Sequence, residues 1–162
     1  MLRVTWLDTL TGFAERDVHN IAAQFIVDGD MLESRANGRP MRSGHFETPT
    51  LGELRTRLPP SPRTASPLRF REVVEDAQQL HADPANAGAA FQVASQFNTL
   101  EMVNPFVTPE HGIDGYKTDR TQGPACAIAC GAGTIFRNYL VPLDGQIGQT
   151  ATRQINCLAD VA

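Results

Sequence analysis

Four prolines within residues 59–67 (Pro59, Pro60, Pro62 and Pro67) constrain this chain more than any other feature. Proline holds φ near about −65° and lacks a backbone N–H, so the run can enter neither a helix interior nor a central strand. It divides the sequence into an N-terminal α/β segment (residues 1–58), a linker (59–67) and a C-terminal portion (68–162). With 162 residues, 41% hydrophobic and 20% charged, the chain is long and apolar enough to bury a core. No internal repeat is visible.

Local patterning predicts the elements on either side of that linker. Residues 2–7, with Val4 and Trp6, read as a strand. Val18, Ile21, Ala22 and Phe25 fall at i, i+3, i+4 and i+7, which predicts an amphipathic helix over residues 15–32, with Glu15 and Asp17 near its start. Asn37-Gly38 and Arg39-Pro40 are turn signals, so residues 34–48 read as a hairpin or an exposed loop. Thr50-x-x-Glu53 is a capping box and predicts a helix from Leu51 to about Leu58, with Leu51, Leu54 and Leu58 facing inward. Beyond the linker, strands are predicted at 68–74, 89–94 and 135–141. A short helix of small residues is predicted at 124–130 between Gly123 and Gly131, and a last helix at 149–161 with Ile155, Leu158 and Ala159 on one face. Strands alternating with helices predict an α/β fold, a mixed sheet flanked by helices.

Charge and cysteine usage narrow the partners. The net charge of −4 argues against a nucleic-acid partner, and no aromatic residues are interleaved at stacking spacing among the arginines between Arg35 and Arg71. The apolar run after Met1-Leu2-Arg3 is broken by Asp8, and no stretch approaches the roughly 18 apolar residues of a membrane span, so no membrane partner is expected. Three cysteines in a chain without a visible export signal predict reduced thiols and a cytoplasmic setting.

The chemistry concentrates between residues 68 and 140. A short apolar strand there ends in Ser95, Gln96 and Asn98, amide and hydroxyl groups at a strand's carboxyl end, where open α/β sheets place ligands. Such amides either fix ribose hydroxyls, donating and accepting at once, or satisfy loop backbone. Glu101, Glu110, His111 and Asp114 form the polar cluster suited to acid–base work beside Asn98; the alternative is solvated loop charge. Cys126 and Cys130, four apart on a predicted helix, share a face. Their spacing is poor for zinc, and no metal or cofactor is expected. They read as small thiols that allow close helix packing, while a nucleophilic Cys126 would need His81 or His111 as its base. Gly-x-Ser-x-Gly, P-loop and His-Glu-x-x-His motifs do not occur.

The order of the motifs Glu72-Val73-Val74-Glu75-Asp76, then residues 83–98, then Gly112-Ile113-Asp114-Gly115 resembles the macrodomain family. That resemblance implies a three-layer core binding ADP-ribose or an ADP-ribosylated ligand, with hydrolysis of the ADP-ribosyl bond as a further activity. It implies Asp76 as the acceptor for the adenine amine and Asn98 as the distal-ribose amide, with Gln96 beside it. Backbone of Gly112, Ile113 and Gly115 would contact diphosphate, and Asn98, Glu101 and Asp114 would serve catalysis. Gly131-Ala132-Gly133-Thr134 either offers further backbone N–H groups to diphosphate or is a helix stop followed by a strand. The sequence departs from the family where Glu101-Met102-Val103-Asn104-Pro105 replaces a run of glycines and where Glu75 replaces the glycine before the aspartate. No second glycine-rich loop follows before Ala162, so the core is expected to be incomplete, with self-association or a partner segment completing its sheet. Residues 80–140, including Thr121-Gln122-Gly123-Pro124-Ala125-Cys126-Ala127-Ile128-Ala129, also resemble a group of longer proteins. A non-enzymatic reading stands beside these, in which residues 95–102 and the small-residue helix form a protein-interaction surface.

Overall fold

Thr5 decides how the described chain begins. In the computed structural model its hydroxyl accepts from the Asp8 N–H at 3.3 Å while Asp8 Oδ2 accepts from the Thr5 N–H at 3.1 Å. This reciprocal cap, worth about 1 kcal/mol, starts helix α1 (Trp6–Thr11), which Gly12 closes at φ +80°. The strand expected over residues 2–7 is therefore replaced at Trp6 and Leu7 by helix: local capping outweighs the strand preference of Val4 and Trp6. The structure describes residues 4–16, 20–59, 67, 69–92, 96–101, 104, 106–119 and 121–159.

The helix expected over 15–32 does not form among its described residues. Ile21–Gln24 make one 3-10 turn, and two strands follow, β1 (Phe25–Asp28) and β2 (Met31–Ser34). They pair antiparallel with Asp28 opposite Met31, so Gly29 and Asp30 form the turn, Gly29 at φ +57°. The glycine breaks the helix and reverses the chain. Ile21 and Phe25 are nonetheless buried, so the apolar face is used in another conformation; Val18 lies outside the described residues. Strand β3 (Pro40–Arg42) pairs antiparallel with β2, placing Met41 opposite Leu32 on the buried face. The hairpin reading of residues 34–48 thus applies to its first part.

Helix α2 (Leu51–Arg57) carries the predicted capping box, with the Glu53 N–H on Thr50 Oγ1 and the Thr50 N–H on Glu53 Oε2. Its leucines do not face inward: Leu51, Leu54 and Leu58 are all exposed. The proline linker lies almost wholly outside the described residues. Residues 69–76 and 89–92 have no regular structure, and Phe70 and Val74 are 90% and 97% exposed. A strand needs a paired neighbour to satisfy its N–H and C=O groups, and none among the described residues reaches these segments; Leu68, Val93 and Ala94 lie outside the described residues.

Helix α3 (Ala77–Ala82) packs on helix α4 (Gln122–Cys130), the helix expected at 124–130. Gly131, at φ +49°, ends α4, and α5 (Ala132–Ile135) begins at once and widens into a π turn over Phe136–Leu140. Residues expected as a strand are thus helical. Ile135 and Tyr139, one turn apart, are both buried, a spacing that serves a helix face. Two short antiparallel strands, β4 (Pro142–Leu143) and β5 (Gln146–Ile147), follow across Asp144-Gly145, both at positive φ. The last helix, expected at 149–161, is absent from the described residues up to Ala159, which form turns. Ile155 is buried as expected, but Leu158 is exposed.

The fold is mixed α/β. Among the described residues its sheets are one of three strands and one of two, antiparallel throughout, instead of a mixed sheet between helix layers. One apolar cluster joins Leu7, Ile21, Phe25, Leu32 and Met41 with Ile113, Tyr116, Ala127, Ile135, Tyr139 and Leu140, so both sides of the linker contribute to it. Each fully buried side chain such as Leu32 or Ile135 stabilises the fold by about 1.5–3 kcal/mol before entropy is counted. No helix among the described residues is long and apolar enough to cross a membrane.

Candidate functional site

Short caps position the first half of the site. Asp76 Oδ1 accepts from the Gln78 N–H at 2.8 Å to start α3, and Asp83 Oδ1 accepts from the Ala85 N–H at 2.9 Å to turn the chain after it. The last turn of α3 then holds His81 over the second turn of α4, with His81 Nε2 2.9 Å from Cys126 Sγ. Phe91 stacks on the imidazole at 4.0 Å between ring centroids and 26° between planes, which fixes the ring's tilt. A cleft of about 350 Å³ opens beside this pair, lined also by Thr99, Glu101, Tyr116, Cys130, Thr134 and Arg137.

Burial dominates the electrostatics of the cleft, with the charge of Glu101 adding to it. Burial pushes the Cys126 thiol up from its ordinary range, and the charges of Glu101 and Cys130 push it the same way. Burial likewise raises the Tyr116 phenol to about 12, although the Glu101 N–H donates to its oxygen at 3.0 Å. Arg137 donates through Nη2 to Thr134 Oγ1 at 3.1 Å and through Nη1 to Cys130 Sγ at 3.6 Å, while its Nε is buried with no partner. Thr99 Oγ1 is also buried without a partner, on a residue held at φ +61°. Glu101 sits against Gly123 so closely that a Cβ there would lie 2.1 Å from its carboxylate.

A second cavity, about 590 Å³, lies on the other side of Glu101 and Tyr116 and is lined by Val107, His111, Gly112, Gly115, Thr118 and Asp119. Its glycine loop is built as an anion site, and the anion is the chain's own. Glu15 accepts from the N–H groups of Ile113 and Asp114, each at 2.9 Å, and from the hydroxyl of Tyr139. Gly112 is required there: φ is +83°, and a Cβ would lie 2.4 Å from the Glu15 carboxylate.

These two cavities bring together part of the site expected from sequence. Glu101 lines both cavities, and Gly112 and Gly115 line the second. Ile113 is buried, and its N–H is engaged by Glu15. Asp114 pairs with Lys117 through Oδ2, and its Oδ1 is buried without a partner. Asn98 is 1% exposed and committed internally: Oδ1 accepts from the Leu100 N–H at 3.1 Å, and Nδ2 donates to Gln154 Oε1 at 2.9 Å. Gln96 is exposed, and its carbonyl accepts from the Thr99 N–H. Asp76 is exposed as the cap of α3 and lines neither cavity. Ser95 and Met102 lie outside the described residues. Of the acid–base cluster, His111 Nδ1 accepts from the Thr108 N–H at 3.0 Å, and Glu110 Oε1 from the Ala151 N–H at 2.7 Å. Of the two histidines weighed for Cys126, the structure selects His81.

Glu15, Phe91, Thr99, Tyr116 and Arg137 are site residues that sequence reasoning missed. Only Glu15 had a local signal, an acidic residue near the start of a predicted helix. All three cysteines are free thiols, and no group of His, Cys, Asp and Glu suited to a metal occurs among the described residues. Comparison with family models, with curated proteins and with solved structures finds no match to the chain.

Proposed function

We propose that the chain binds an ADP-ribose-type nucleotide along the two cavities that meet at Glu101 and Tyr116. The observation that carries this reading is convergence: Glu101, and Gly112 and Gly115 of the one glycine motif that the resemblance singles out, line one cavity of about 590 Å³. That volume lies within the range of small-molecule sites. The Glu101 carboxylate accepts hydrogen bonds only, which suits ribose hydroxyls, and the buried Nε of Arg137 is a free donor for an anionic or hydroxyl oxygen. The Ile113 and Asp114 N–H groups suit a diphosphate, which on this reading displaces the Glu15 carboxylate from them. If the ADP-ribosyl bond is cleaved, Glu101 is the group we assign to polarising the attacking water. The macrodomain-like layering belongs to this proposal too, with the strands beyond the two small sheets contributed by a second copy or a partner segment.

Calorimetric titration with ADP-ribose tests the reading, with sedimentation run on the same sample. Saturable binding, weakened about tenfold or more by Glu101→Gln, is the expected result, because a hydrogen bond to a charged group is worth about 1.5–3 kcal/mol. Absence of saturable heat at millimolar ligand, for monomer and self-associated forms alike, would end it.

A further inference from the structure

We propose that Cys126 is an acyl-accepting nucleophile and His81 its general base, so that the smaller cleft transfers or hydrolyses acyl groups from esters or thioesters. This goes beyond nucleotide binding and rests on different residues. Three observations carry it. The thiol and the imidazole come within 2.9 Å from elements 45 positions apart in the chain, a contact that no local turn produces. Phe91, stacked at 4.0 Å, holds the ring in register with the sulfur, the part a third residue plays in orienting a catalytic base. The pair opens into a cleft lined also by Thr99 and Arg137, and each of these residues carries a buried hydrogen-bond donor with no partner, Thr99 Oγ1 and Arg137 Nε. An uncommitted buried donor costs about 1–3 kcal/mol, and both are suited to the oxygen of an acyl carbonyl as it gains charge. Thr99 is also held in the left-handed region at φ +61°, a conformation that costs energy and is concentrated at functional sites.

The chemistry balances without any co-reactant except water. Sγ forms a bond to the acyl carbon as its proton passes to His81 Nε2. The leaving oxygen or sulfur departs with the bonding pair and takes that proton. Water then attacks the thioester carbon, gives its proton to Nε2, and the S–C bond breaks as the thiol is re-formed with the same proton. A redox role fits less well. Peroxide-reducing and disulfide-exchanging thiols work as standing thiolates beside cations, whereas here burial, with the Glu101 charge adding to it, pushes the Cys126 thiol up and favours its protonated form. That arrangement requires a base acting as the S–C bond forms.

The test is to treat the protein with 4-nitrophenyl acetate and read nitrophenolate release together with the site of acetylation by peptide mass spectrometry. The wild-type chain supplies an internal comparison, because Cys130 and Cys157 are exposed thiols in the same molecule. Acetylation is expected first at Cys126, with turnover that survives Cys157→Ser and disappears in Cys126→Ser. His81→Asn should slow acetylation of Cys126 by roughly 100-fold or more. Acetylation of Cys126 no faster than that of Cys130 and Cys157 would overturn the proposal without any variant. So would an unchanged rate in a folded His81→Asn protein.

Discussion

Glu15→Ala removes one side chain and leaves three donors without their acceptor. In the native chain this carboxylate accepts from the Ile113 and Asp114 N–H groups, each at 2.9 Å, and from the Tyr139 hydroxyl. Ile113 and Tyr139 are both buried, so water replaces the lost acceptor only on the outer side of the half-buried glutamate. A hydrogen bond to a charged group contributes about 1.5–3 kcal/mol, and a buried donor left unmade costs about 1–3 kcal/mol. Discounting for partial exposure, the substitution should cost roughly 3–5 kcal/mol. That is a large share of the roughly 5–15 kcal/mol of a whole domain. At about 2–4 °C per kcal/mol for a chain of this size, the melting temperature should fall by roughly 6–20 °C. Thermal and urea unfolding followed by circular dichroism measure this directly. A loss below about 1 kcal/mol would refute the reasoning, since it would mean that the glycine loop holds its shape without an anion.

Gly112→Ala should destabilise the chain through the same contact, because the new Cβ meets the Glu15 carboxylate at 2.4 Å in a backbone held at φ +83°. A cost of about 1–3 kcal/mol in urea unfolding is expected, and Glu15→Ala in the same chain should recover part of it, as residues in contact are not additive. Alkaline pH should destabilise the fold, and the sign follows from the phenols. Burial raises the Tyr116 phenol from 10 to about 12, and burial followed by the Glu15 charge raises Tyr139 further still. The unfolded chain therefore releases protons from pH 10 upward while the folded chain keeps them, so stability is whole below pH 10 and is lost as pH climbs toward 12 and beyond. Tyrosinate absorbance rising with an ordinary midpoint near pH 10, with the fold intact, would contradict this.

What the sequence by itself determined about this protein is what closes within a few residues. The Thr50–Glu53 capping box sets the start of α2, and the helix of small residues before Gly131 forms where glycine supplies a positive φ. Such features are legible because both partners of each hydrogen bond lie within one turn of chain. Even among local signals, competition misled: Thr5-x-x-Asp8 capped a helix where Val4 and Trp6 favoured a strand, and Asp28-Gly29 reversed a chain whose apolar spacing suited a helix. Ile135 and Tyr139, residues of good strand propensity, became helical because both sides of the linker share one apolar cluster that a helix face at this spacing fills. The candidate site lies further from sequence still. Glu101 and the Gly112–Gly115 loop were visible as chemistry, yet that Glu15 would fill the loop from 98 positions away was not, and the choice between His81 and His111 as the neighbour of Cys126 stayed open until the fold put His81 there. A residue's type states which hydrogen bonds and charges it can offer. Which partner it meets depends on how distant elements pack, and that was decided only when burial of the shared core brought the two sides of the linker together.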